Sequence, residues 1–147
     1  MKQKFRRNVI LLVGISLLLL CCGIFYLENE VYGNVRDAQR ITDASSVYTE
    51  AEIAAAMDVA TAYFRAEFGG CRLMEMVYDE EKSCLQSAGW AKQYAADEAI
   101  VLHSTFEVCS PDAWKRGLAA DEIYRTWAWI LVRNDGGTWR LKTWGYG

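Results

Sequence analysis

The chain has 147 residues, 52% of them hydrophobic and 24% charged, with a single proline. Four basic residues precede the first acidic one, so the part beyond Leu27 has 12 basic against 19 acidic residues, a net charge of −7. An acidic surface excludes general nucleic-acid binding, which needs a basic one. The remaining length suits about one domain.

The N-terminus predicts a membrane helix. Residues 1–8 form a cytoplasmic basic flank, and residues 9–27 are an uncharged apolar run. At 1.5 Å per residue this run extends roughly 28 Å, close to the ~30 Å thickness of the hydrocarbon core. Because basic flanks stay on the cytoplasmic side, we expect a single-pass signal anchor in the cell membrane, with the C-terminal domain outside.

Two alternatives for this segment remain. A cleaved signal peptide usually has a shorter apolar region. A lipoprotein signal would end at Cys21, but Leu20 stands where that signal normally has a small residue. Residues 28–47 are polar and weakly periodic, and they are predicted to be a poorly ordered linker.

Residues 48–147 are predicted to form one extracytoplasmic α+β domain that begins with a helix. The segment Thr49-Glu50-Ala51-Glu52 is a capping box. Apolar residues then recur at helical spacing, as expected for a face packed on a core. These residues are Ile53, Met57, Ala60, Phe64 and Phe68. Gly69 and Gly70 end the helix where a left-handed residue is needed.

The middle of the chain predicts a strand at residues 71–78, a solvated turn at 79–82 and a helix at 83–96 that is broken near Gly89. A second strand follows at residues 98–109. Its core face carries Ile100, Leu102, Ser104, Phe106 and Val108, and its opposite face carries Val101, His103, Thr105 and Glu107. Residues 110–121 are predicted to be a long loop.

The last strands form a predicted hairpin around Asp135-Gly136, a strong signal for a two-residue turn. Ideal pairing would place Ala128, Ile130, Val132, Trp139 and Leu141 on a core face. The opposite face would carry tryptophans and cations, with Lys142 over Trp129. We therefore expect a ligand or partner face made of Trp127, Trp129, Trp144, Arg140, Lys142 and His103. A different register would mix the two sets.

No catalytic, cofactor or metal motif is present in the sequence. His103 is the single histidine, and Cys71, Cys84 and Cys109 match no zinc spacing. These cysteines are either isolated or form one disulfide with one cysteine left over.

Three blocks of sequence carry a family resemblance: AMDVATAYFRAEFGGCRLMEMVYDEE, AKQYAADEAIVLHSTFEV and WAWILVRNDGGTWRLKTWGYG. They resemble an uncharacterised extracytoplasmic domain of Gram-positive bacteria with the nuclear-transport-factor-two-like cone fold. The resemblance implies helices packed on a curved antiparallel sheet. That fold serves enzymes and binding modules alike, so it implies no catalytic residue.

The sequence thus favours a membrane-anchored, non-catalytic binding or interaction module without a cofactor. Its partner would be a ligand, another protein or a second copy of the chain. The alternative is a small enzyme of a cone-type fold that uses His103 with a pocket carboxylate such as Asp97, Glu98 or Glu107.

Overall fold

The computed structural model describes residues 2–26 and 30–146. The elements are α1 (Lys2–Tyr26), β1 (Gln39–Thr42), α2 (Glu50–Glu67), β2 (Cys71–Tyr78), α3 (Glu80–Gln93), β3 (Glu98–Val108), a 3₁₀ helix (Pro111–Arg116), β4 (Ile123–Arg133) and β5 (Arg140–Tyr146). The strands form one sheet in the order β1-β2-β3-β4-β5. Only β1 runs parallel to its neighbour. The α+β class is confirmed with a mixed sheet, and the cone shape stays a prediction.

α1 contains one apolar stretch, Asn8–Tyr26, whose 19 residues are exposed in the structure. Within the described residues it is the one helix that is long and apolar enough to cross a membrane. Length and composition suit a membrane anchor and a signal sequence equally. Leu27, the last residue of the predicted span, lies outside the described residues.

The predicted linker is wrong over most of its length. The Gly33 N–H donates to the Arg65 carbonyl oxygen at 2.9 Å, and Asn34 forms a β-bridge with Arg72. Further on, β1 pairs with β2. All four side chains of β1 are exposed, so the strand lacks the apolar alternation by which a sequence indicates a strand. Glu28 and Asn29 lie outside the described residues.

The predicted start and core face of α2 are confirmed. The Thr49 hydroxyl accepts a hydrogen bond from the Glu52 N–H at 3.3 Å, and the Glu52 carboxylate accepts one from the Thr49 N–H at 2.8 Å. Ile53, Met57 and Phe64 are buried. The left-handed residue after the helix is Gly70, with φ of 76°.

The helices α2 and α3 cover opposite faces of the sheet. The α2 stripe joins a large core cluster with Ile100, Leu102 and Leu141, as the sequence predicts. Ile130 was expected in that core, but it belongs to a separate cluster with Val101 and Ala128. Trp90 and Tyr94, at the end of α3, pack on this second cluster. The sheet is therefore buried on both sides along β3 and β4.

Two predictions about α3, its start and its break near Gly89, differ from the structure. Asp79, expected in a turn, is the N-cap, and its carboxylate accepts a hydrogen bond from the Lys82 N–H at 3.0 Å. Glu80 and Glu81 then lie in the first turn, where the helix dipole favours acidic residues. The helix also continues through Gly89, because a solvent-facing glycine weakens a helix by only about 1 kcal/mol.

Phe64→Ala should lower the free energy of unfolding by about 3–5 kcal/mol, because it empties the centre of the α2–sheet core. Urea unfolding of the full chain in a mild detergent measures the change. Leu85→Ala is the matched control, since Leu85 is 79% exposed on α3 and its loss should cost less than about 0.5 kcal/mol. Equal effects of the two substitutions would contradict the packing of α2 on the sheet.

Candidate functional site

The hairpin turn forms as predicted, but the register of β5 does not. The Gly137 N–H donates to the Asn134 carbonyl oxygen at 2.9 Å, and Asp135 and Gly136 have φ of 53° and 62°. Ideal pairing around this turn would place Val132 opposite Trp139, but Val132 faces Arg140, one residue further along. A second shift in register lies further along β5. Leu131 faces Leu141, but Ile130 faces Thr143, so Lys142 has no partner in β4. Each extra residue reverses the alternation of side chains.

These two shifts separate the predicted tryptophan and cation residues. Trp129 faces Trp144 on the side that α2 covers. Arg140 faces Val132, and the Lys142 ammonium lies 5.9 Å from the centre of the Tyr94 ring, at the end of α3. The prediction of one tryptophan–cation face is therefore wrong, as is the expected stacking of Lys142 on Trp129.

Trp129 is a core residue. Its side chain is fully buried, and its indole N–H donates to the Ser104 hydroxyl at 2.9 Å. Its ring centre lies 5.4 Å from that of Phe68 and 6.3 Å from that of Phe64. The predicted binding residue Trp129 thus serves packing, with its one polar atom satisfied inside the core.

The other two predicted tryptophans, Trp127 and Trp144, line a cleft of about 400 Å³. It lies between the end of α2, the segment that follows the 3₁₀ helix, and the strands β4 and β5. Its other lining residues are Tyr63, Glu67, Phe68, Arg116, Gly117 and Leu118. We take this cleft as the candidate site because it keeps two of the predicted aromatic residues and adds polar groups beside them.

Four of the eight residues that line the cleft are aromatic. Trp144 is 39% exposed, and its ring centre lies 4.5 Å from that of Tyr63. Trp127 is half-buried and packs edge-on against Phe68, with 6.2 Å between the ring centres. The indole nitrogen of Trp127 is buried and has no hydrogen-bond partner in the described part of the chain. Such a donor is uncommon, because buried polar groups are usually paired.

Two charged residues stand at the edge of the cleft. The Arg116 guanidinium donates a hydrogen bond to the Gly69 carbonyl oxygen, which ties the loop to the end of α2. Glu67 is exposed, and burial together with the charge of Glu67 raises the pKa of Tyr63. The cleft therefore combines flat apolar walls with one positive and one negative group.

His103 lies away from this cleft. It pairs with Ala128, on the sheet face that α3 covers, and burial lowers its pKa. The nearby charge of Lys82 lowers that pKa further, while Asp79 opposes both effects. The sequence predicted that His103 and Trp129 would share one face of the sheet, but they lie on opposite faces.

The three carboxylates proposed as partners of His103 have other partners. The Asp97 carboxylate accepts a hydrogen bond from the Asp135 N–H at 2.9 Å. Glu98 forms an ion pair with Arg133, and Glu107 forms one with Arg72. The structure does not assemble the predicted histidine–carboxylate site.

None of the three cysteines of the described domain lines the cleft. Cys71 is a buried free thiol, and Cys84 and Cys109 are exposed free thiols. Burial raises the pKa of Cys71 to about 12, which favours the unreactive thiol form. Among the described residues, no cluster of three or more histidine, cysteine or acidic side chains could hold a metal ion.

Sequence reasoning missed a buried arginine cluster at the other end of the domain. Arg133 is 8% exposed and forms ion pairs with Glu52 at 2.6 Å and Glu98 at 2.7 Å. Its guanidinium lies 4.3 Å from the centre of the Trp139 ring, and the Trp139 indole N–H donates to the Glu52 carbonyl oxygen at 2.9 Å. The residues come from α2, β3, β4 and the segment before β5, so no local spacing indicates the cluster.

Comparison of the chain with protein-family models, with curated proteins and with solved structures gave no match. The resemblance to a cone-fold domain therefore stays a prediction.

Glu52→Gln should weaken the dependence of stability on acid pH. Hydrogen bonds from Thr49 and Arg133 lower the pKa of Glu52 from 4.5 to about 2 in the folded protein. The folded state then binds fewer protons than the unfolded state, so this stabilisation is present above pH 4.5 and is lost as the pH falls towards 2.

Denaturant unfolding at several pH values tests this expectation. The Gln variant should be less stable at neutral pH and should lose less stability on acidification than the unmodified protein. Glu50→Gln is the control, because Glu50 is an exposed residue in the same first turn of α2. Identical acid profiles for all three proteins would refute the role given to Glu52.

Proposed function

We propose that this protein is a membrane-anchored, extracytoplasmic binding module whose cleft holds a small ligand with a flat apolar body. The observation that carries the proposal is the aromatic cleft itself. About 400 Å³ of space is bounded by Trp127, Trp144 and Tyr63, with Glu67 and Arg116 at its edge. Small-molecule sites typically have volumes of roughly 300–1,000 Å³ and combine apolar walls with a few polar groups.

The properties of the ligand follow from the groups that line the cleft. Indole and phenol rings bind flat apolar surfaces, because large rings bury much area with few rotatable bonds. Arg116 suits an anionic group, and Glu67 suits a cationic one.

Chemistry in the cleft is less well supported than binding. Its polar side chains are Tyr63, Glu67 and Arg116, and burial and the charge of Glu67 shift the pKa of Tyr63 upward, away from the range of a general base. The alternative enzyme built on His103 lacks support from contacts, because Asp97, Glu98 and Glu107 each bind another group. We therefore favour a non-catalytic module.

The proposal predicts which tryptophans respond to small probes. The full chain, labelled with ¹⁵N at the indole nitrogens, is titrated with indole-3-carboxylate, with tryptamine and with the neutral compound indole. At least one probe should shift the indole signals of Trp127 and Trp144 and leave that of Trp90, on α3, unchanged. The preferred probe shows whether Arg116 or Glu67 dominates.

Trp144→Ala removes one of the four aromatic rings that line the cleft. It should weaken binding of the preferred probe at least about tenfold, which corresponds to about 1.4 kcal/mol. Trp90→Phe is the control and should bind normally, because Trp90 packs on the opposite sheet face. No shift of Trp127 and Trp144 with any of the three probes at millimolar concentration would overturn the assignment of the cleft.

A further inference from the structure

The path of the chain brings one end of the domain close to α1. α1 ends at Tyr26, and by Glu30 the chain already lies against the domain. A Cβ atom added to Gly69 would lie 2.7 Å from the Glu30 carbonyl oxygen and 2.3 Å from that of Val31. Four residues extend at most about 14 Å. A membrane-spanning α1 therefore holds the Gly69 end of the domain at the bilayer surface.

The sheet defines which residues share this end. β2 starts here with Cys71, which faces Val108 at the end of β3. β4 starts here, and Tyr146, at the end of β5, faces Trp127. The 3₁₀ helix belongs to the same end, because Arg116 donates to the Gly69 carbonyl oxygen and the Ser110 N–H donates to that of Gly70 at 3.0 Å.

Three of the four exposed aromatic side chains in the described part of the domain lie at this end. They are Tyr32, Trp114 and Tyr146, while the fourth, Trp144, faces Trp129 further along the sheet. Trp114 and Tyr146 are the most exposed of them, each at 65%. The opposite end carries the turn at residues 134–137 and the carboxylate of Asp97. Tryptophan and tyrosine are enriched where proteins meet the interface between bilayer and water.

The two cations of the 3₁₀ helix do not make this end a basic, lipid-attracting surface. Lys115, next to Trp114, forms an ion pair with Asp112 at 2.9 Å, and Arg116 is bonded to the Gly69 carbonyl oxygen. The chain beyond Leu27 has a net charge of −7. A contact with lipid at this end therefore depends on aromatic burial and not on attraction to anionic headgroups.

We propose that the 3₁₀ helix docks on the bilayer, with the Trp114 ring at the boundary between headgroups and acyl chains and Tyr32 and Tyr146 beside it. The proposal rests on the membrane anchoring proposed above. This contact fixes the orientation of the domain on the membrane. It also brings the mouth of the cleft next to the bilayer, because Arg116 belongs to the 3₁₀ helix and to the cleft lining.

Quenching of tryptophan fluorescence by lipid tests the contact. The full chain is reconstituted into zwitterionic vesicles whose lipids carry bromine near the headgroup end of the acyl chain. All six tryptophans lie outside α1, so quenching reports on the domain alone. Trp114→Phe should remove more than half of the quenched signal. Trp90→Phe is the control and should leave most of it, because Trp90 lies on α3 and packs on the sheet face away from the cleft.

Flotation and alkaline washing of the same vesicles separate the two levels of the proposal. A chain that stays with the vesicles but shows equal quenching in all three proteins overturns the docking of Trp114 and leaves the anchor standing. A chain that is released from the vesicles overturns both. Quenching that disappears in high salt also overturns the proposal, because an aromatic contact should persist when charges are screened.

Discussion

The packing of the α2 apolar stripe on the sheet around Trp129 is the contact on which the rest of the structure depends. Phe64 and Phe68 both place their rings against Trp129, whose own polar atom is paired with Ser104. Large aromatic rings bury more area than aliphatic side chains do, so this contact contributes strongly to the core. Once α2 occupies this face, α3 is left with the smaller residues Val101, Ala128 and Ile130 on the other.

Local signals allowed much of this fold to be predicted from the sequence. The capping box at Thr49, the left-handed residue at Gly70 and the hairpin turn at Asp135-Gly136 each depend on neighbouring residues, and all three form as expected. The strand β1 escaped prediction because it joins an edge of the sheet with no buried side chain. Its pairing with β2 depends on backbone hydrogen bonds, which leave no apolar pattern in the sequence.

The candidate site was predictable only in part, for a reason that lies in β5. The sequence drew attention to Trp127 and Trp144, and both line the cleft. It grouped them wrongly with Arg140 and Lys142. The strand β5 has one extra residue just after the turn and another at the Lys142 bulge, and each of them reverses the alternation of side chains between the two sheet faces. A bulge has no firm sequence signature. The buried Arg133 cluster could not be predicted either, because the residues that bind Arg133 come together only in the folded domain.

Three consecutive residues connect the core to the candidate site and to the start of the domain. Phe68 stacks on Phe64 in the core and also forms part of the cleft wall. Gly69 follows and lies against the chain that leads from α1, in a space that admits no Cβ atom. Gly70 then turns with positive φ, and its carbonyl oxygen accepts hydrogen bonds from Cys109 and Ser110, which lead into the 3₁₀ helix.

This arrangement has a consequence for the rigidity of the cleft. One wall is formed by Phe68 and Trp127, which are packed into the same core that stabilises the whole domain. The rest of the lining includes Trp144 on the edge strand β5 and the exposed loop residue Gly117. Edge strands and loops open at lower free energy than central strands. The cleft therefore combines an aromatic floor that the core holds in place with a rim that opens at lower free energy.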